Sequence, residues 1–232
     1  MYRGSSFLLQ RDYKTHLKAV EIIMPPYEEQ DIAQLWDYSP EKLEIEKANE
    51  LLFNSNSGIY WRLKEAYVDK HCPEEAVPSE TLITKILMGT IGCVPAFDRF
   101  FKRGIQDYLS KHENSMHGNI VSFKDQSYKL TQSLEIGSNK TVSESFKALA
   151  AFAGLNDKQL QIADSDPQYP LMKCVDMYFW ETGYELDLAD ELKKNQNNDS
   201  KACRLMRLAE KRGMISGKCS PQEALEQIRA KN

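Results

Sequence analysis

Apolar residues recur at three- and four-residue spacing along almost the whole chain, and this helical period constrains the fold more than any other feature. Between Glu41 and Phe53, Leu43, Lys47 and Leu51 lie on one line and Ile45, Ala48 and Leu52 on another, behind Ser39-Pro40 as N-cap and first-turn proline. A second helix is predicted after Gly58, with Ile59, Leu63, Ala66 and Tyr67 on one face and Pro73 closing it. Pro78-Ser79 opens a third, whose stripe Leu82, Ile83, Ile86 and Leu87 runs to Gly89. Further helices are predicted from Pro95 to near Gly104, from Ser143 to Ala153, from Pro170 to Gly183, from Ser200 to Arg212, and from Gln222 to Lys231 behind Ser220-Pro221. Only Asn119 to Phe123 competes as a strand. The fold class this implies is all-α, a multi-helix globular domain.

With 232 residues, 41% hydrophobic and 10% aromatic, the chain can build the core such a domain needs. No apolar run approaches the ~20 residues of a membrane span. The first eleven residues carry neither a secretory apolar core nor a small-residue cleavage site. The expectation is a soluble, cytoplasmic protein without a membrane partner. Five cysteines, none in a C-x-x-C pair, fit reduced thiols, and the four histidines have no finger-like spacing, so no metal is expected. No phosphate-binding P-loop and no Gly-x-Gly-x-x-Gly segment occurs, which argues against a nucleotide cofactor.

Residues 111 to 140 and 193 to 200 are polar and read as connections, the first long enough to hold short helices or a functional loop and the second a hinge. The expected division is a main helical domain over 1–192 and a basic helical segment over 200–232, set apart or packed on the same domain. From Lys201 onward eight Lys/Arg face three Glu, a net of +5, so with −4 overall the remainder carries −9. Two readings of this segment stand, a nucleic-acid contact and a solvated helix face.

The densest chemical signal is Leu87-Met88-Gly89-Thr90-Ile91-Gly92-Cys93-Val94-Pro95-Ala96-Phe97-Asp98, with Arg99, Lys102 and Arg103 following. Closely spaced glycines ahead of a helix N-terminus let backbone N–H groups approach a phosphate, and they equally suit a plain helical corner. Leu87 to Ala96 resembles the helix-hairpin-helix element of DNA glycosylases, and Val94-Pro95-Ala96-Phe97-Asp98 is similar to the Val-Pro-x-Asp turn that presents the catalytic aspartate in that superfamily. The likeness covers about twenty residues. It implies a helix-hairpin-helix glycosylase-like fold, a DNA partner contacted through Gly89, Gly92, Arg99, Lys102 and Arg103, and a base flipped into a pocket between helical layers. It further implies that Asp98 stabilises an oxocarbenium-like sugar while the glycosidic bond breaks. In a bifunctional enzyme a lysine attacks the sugar carbon, and Lys85, which interrupts the apolar stripe, is the candidate. The target is a damaged base or a modification carried by phage DNA, and no cofactor is implied.

Each residue also has a plain reading. Lys85 fits a snorkelling lysine at the stripe's edge, and Asp98 a first-turn acid favoured by the helix dipole. The segment Tyr169 to Tyr184 supplies a second constellation: Trp180 and Tyr178 to stack on a base, Asp176 and Lys173 as alternative acid and amine. Core packing for the aromatics and a surface pair for Lys173 and Asp176 account for the same spacing. The rival function is a non-catalytic helical adaptor or immunity-type module acting through protein contacts.

Overall fold

Every regular element is a helix, and no strand occurs, among the residues described by the computed structural model: 13–24, 30–68, 78–111, 146, 147, 149–154, 160, 169–217 and 219–231. The helices are α1 (Leu17–Ile23), α2 (Ile45–Phe53), α3 (Ile59–Ala66), α4 (Glu80–Thr90), α5 (Arg99–Lys111), α6 (Leu171–Lys194), α7 (Asp199–Lys211) and α8 (Pro221–Lys231), with 3-10 turns at Tyr13–His16 and Gln30–Leu35. The all-α class holds for these residues, and no helix among them is long and apolar enough to cross a membrane. Pro73, His71, Cys72, the Asn119 to Phe123 alternation, the 112–140 connection, and the start of the helix expected at Ser143 lie outside the described residues.

The chain divides into two compact units, Met1–Phe97 with Glu113–Asp176, and Asp98–His112 with Met177–Asn232. The boundary therefore falls inside α6 and just before α5.

In the first unit Leu52, Ile59, Leu63, Ile83 and Leu87 are fully buried, each in the face its spacing assigns, and Leu35 is buried with them. A chain of tilted rings joins them: Tyr38 to Phe146 at 5.4 Å, Phe146 to Phe53 at 5.6 Å and Phe53 to Tyr60 at 5.5 Å between centroids. Burial pushes the Tyr38 and Tyr60 phenols well above their ordinary range. α2 starts four residues later than its periodicity predicts, because Ser39 C=O accepts from Lys42 and Leu43 N–H in a separate turn and Glu44 is extended at ψ 141°. α4 starts as expected, with Ser79 Oγ accepting from Leu82 N–H at 3.2 Å. It does not stop at Gly89. That residue sits exposed in the last helical turn, and the bend comes at Gly92, where φ is +74°.

In the second unit two glycines expected to end helices are instead interior. α5 passes through Gly104 and α6 through Gly183 because these are the points where the two backbones touch: a Cβ on Gly104 would collide with the Phe179 carbonyl oxygen, and one on Gly183 with that of Phe100. Side chains as small as methyl would force the helices apart. Residues 193 to 200 likewise do not form a hinge. Asn195 and Asn198 close a tight turn onto Leu192, and Asn198 Oδ1 caps α7 by accepting from Lys201 N–H at 3.1 Å. Leu188 and Leu192 of α6 then share one core with Ala202, Ala209, Met214, Ala224, Leu225 and Ile228, so the basic segment is packed rather than trailing. α8 opens with a reciprocal cap in which Ser220 Oγ accepts from Glu223 N–H and Glu223 Oε2 accepts from Ser220 N–H at 2.7 Å.

Candidate functional site

The segment Gly92 to Phe97 is wholly buried, and buried backbone must find partners. It finds them in side chains. Thr84 Oγ1 accepts from Phe97 N–H at 3.0 Å while donating to Glu80 C=O at 2.8 Å, and Thr81 Oγ1 donates to Phe97 C=O at 2.7 Å. Asp176 Oδ1 accepts from Ala96 N–H at 2.8 Å, and among the described residues Asp176 and Thr84 are the two buried polar or charged ones. Gly92 N–H donates back to Leu87 C=O at 2.9 Å, and a Cβ at Gly92 would stand 2.8 Å from Pro170 Cβ. The turn is thus held by polar bonds from α4 and from Asp176, and closed by Pro170.

Asp98 follows directly in the chain, as the first residue of the second unit. This half-buried residue caps α5: its Oδ1 accepts from Phe100 N–H at 3.0 Å and Phe101 N–H at 3.1 Å, and its carbonyl accepts from Lys102 N–H at 3.0 Å. The carboxylate is fixed in direction at the positive end of a thirteen-residue helix. Lys85, half-buried on α4, belongs to the first unit and Asp98 to the second. Lys173 lies with its Nζ 5.1 Å from the centre of the half-exposed Tyr169 ring.

Around α5 and α6 the second unit gathers aromatic rings and arginines. Trp180 and Tyr184 stack at 5.2 Å and 14°, Phe100 meets both edge-on, and the Arg212 guanidinium lies 4.0 Å from the Tyr184 ring centre while pairing with Glu181. Tyr178 is exposed, its ring edge against the buried Phe179. Arg103 bonds Asp190 at 2.6 Å and Asp187 at 3.4 Å, and Arg99 bonds Asp187 at 3.3 Å. The Arg103 bond holds the Asp190 carboxyl below its ordinary range, and the Glu181 bond raises Arg212. Lys102 is half-buried and has no ion pair among the described residues.

In comparisons with protein-family models, with curated proteins and with solved structures, nothing matches this chain.

Thiols and cations complete the inventory. Cys93 and Cys174 are buried, and burial pushes the Cys93 thiol far up, away from nucleophilic use. Among the described residues no group of three or more His, Cys, Asp or Glu could hold a metal ion. Several functional side chains escaped sequence reasoning. Thr81 and Thr84 carry a legible signal, hydroxyls at i and i+3 beside an apolar stripe. The carboxylates that pair with Arg99 and Arg103 carry none, since Asp187 and Asp190 lie more than eighty residues away in sequence.

Proposed function

We propose that this chain acts on DNA as a base-excising enzyme of the helix-hairpin-helix glycosylase type, with Asp98 as the carboxylate that stabilises the reacting sugar. The observation that carries the reading is the pair of backbone N–H bonds that Asp98 Oδ1 accepts at the head of α5. A carboxylate fixed in advance of the reaction needs no reorganisation when positive charge develops on the sugar, which is the condition for electrostatic catalysis. The bond from C1′ to the base nitrogen breaks, the base leaves with a proton, and water adds at C1′.

Asparagine caps a helix as well as aspartate does, whereas alanine costs about 1 kcal/mol. Asp98→Asn therefore keeps the fold and removes the charge. Incubating the protein with duplexes carrying different modified bases, and cleaving abasic products with alkali, should give strand scission with wild type and none with Asp98→Asn at an unchanged melting temperature. Scission by Asp98→Asn at the wild-type rate, or no base released from any duplex, overturns the reading.

A second reading, a non-catalytic helical interaction module, is favoured by one set of contacts: Gly92 N–H, Asp176 Oδ1 and the Arg99 and Arg103 guanidinium groups all have partners within the chain. Under it Asp98 is a cap alone, and Asp98→Asn changes no phenotype.

A further inference from the structure

Six cations of the second unit form two populations. Arg99, Arg103 and Arg212 each face a carboxylate. Arg204, Arg207 and Lys211 on α7 are exposed and have no ion pair among the described residues. At 3.6 residues per turn these three project within about 60° of arc, opposite the side on which Ala202 and Ala209 are buried. They line one surface depression of about 590 Å³, with Ser200 and Leu208 between them and Asp199 at its N-terminal end.

We infer that this face of α7 is a docking surface for the phosphate backbone of DNA. At 1.5 Å per residue the three cations extend over about 10 Å. One strand of a duplex presents a phosphate about every 3.4 Å of axis, so the cations span about three such steps and neighbouring phosphates lie along them. No aromatic and no long apolar anchor other than Leu208 lines the depression, unlike the core of a protein–protein interface. The net charge points the same way: residues 201–232 carry +5 and the rest of the chain −9, so attraction to a polyanion concentrates here. The contacts read backbone, not sequence. The choice of DNA as the polyanion rests on the reading of the chain as a DNA-acting enzyme, while the geometry of the face does not depend on Asp98.

The test is fluorescence anisotropy of the full chain with a labelled duplex lacking modified bases, over a series of salt concentrations. Wild type should bind with a steep loss of affinity as salt rises, and R204Q/R207Q/K211Q should lower that log–log slope by about 3 and weaken binding by about 10²-fold near 0.1 M salt. Arg204→Gln alone should lower the slope by about 1, which guards against a triple variant that fails to fold. R204K/R207K, which keeps both charges, should preserve the slope, and Lys147→Gln, at a half-buried lysine of the first unit paired with Glu46, should leave it unchanged. An unaltered slope in the triple variant, or polyglutamate displacing DNA at equal charge concentration, overturns the inference. Excision measured in parallel separates the two proposals: a lowered slope with no excision by wild type removes the Asp98 reading alone, and excision with an unaltered slope removes the α7 surface alone.

Discussion

The Gly92–Phe97 turn and the outward side of α7 both carry polar chemistry, and they differ in where that chemistry points. In the turn, Thr81, Thr84 and Asp176 bond backbone groups of the same chain, and Gly92 is packed against Pro170. On α7, Arg204, Arg207 and Lys211 face an open depression. Polar side chains thus serve rigidity in one region and lie open to solvent in the other. A buried polar group left without its partner is costly, whereas an exposed cation without one costs almost nothing. Substitutions should therefore separate the regions by stability.

The largest effect tests whether the arginine pairs depend on the helix crossing. Gly104→Ala puts a methyl into the Phe179 backbone, and chemical denaturation should show a loss of about 3 kcal/mol or more, with the α5–α6 pairs disrupted together. A loss under about 1 kcal/mol means the backbones do not meet there.

Next comes the turn itself. Thr84→Val conserves shape but leaves the buried Phe97 N–H without its acceptor, and should cost about 1 to 3 kcal/mol in the same measurement. A neutral result makes the turn no more demanding than the open side of α7.

The smallest effects compare the two arginine populations directly. Arg103→Gln should cost about 1 kcal/mol because it undoes bonds to both Asp187 and Asp190, while Arg207→Gln should stay within about 0.5 kcal/mol. Equal values erase the distinction. pH sharpens it. The Asp190 carboxyl is held below its ordinary range by Arg103, so its contribution is complete above about pH 4, the unfolded value, and is lost as pH falls through the lower folded value. Acid titration of stability should accordingly show a shallower loss below about pH 4 for Arg103→Gln than for wild type, and an unchanged curve for Arg207→Gln.

Thiol labelling gives an independent check on burial. A maleimide should modify the exposed Cys203 in the native protein and reach Cys93 and Cys174 only after unfolding.

Local signals made most helices readable. Ser79 and Ser220 cap the helices they were expected to cap, and of the stripe Leu82, Ile83, Ile86 and Leu87 all but the half-buried Ile86 are buried. The same local logic misread Gly104 and Gly183. A glycine that ends a helix and a glycine that lets two helices touch are indistinguishable in sequence, because the second role is defined by a backbone more than seventy residues away. At the candidate site, the position of Asp98 near a helix start was legible, but its bonds to two N–H groups required the helix to begin at Arg99 rather than Pro95.

The sequence by itself determined the helical class, the Ser79 and Ser220 caps, most of the apolar stripes and the charge contrast between the last thirty-two residues and the rest, because each depends on neighbours within a turn or two of the chain or on composition alone. Only the tertiary structure decided which polar groups are committed and which are open. Whether Arg103 meets a carboxylate and Arg207 does not is set by long-range packing, and no local period encodes it.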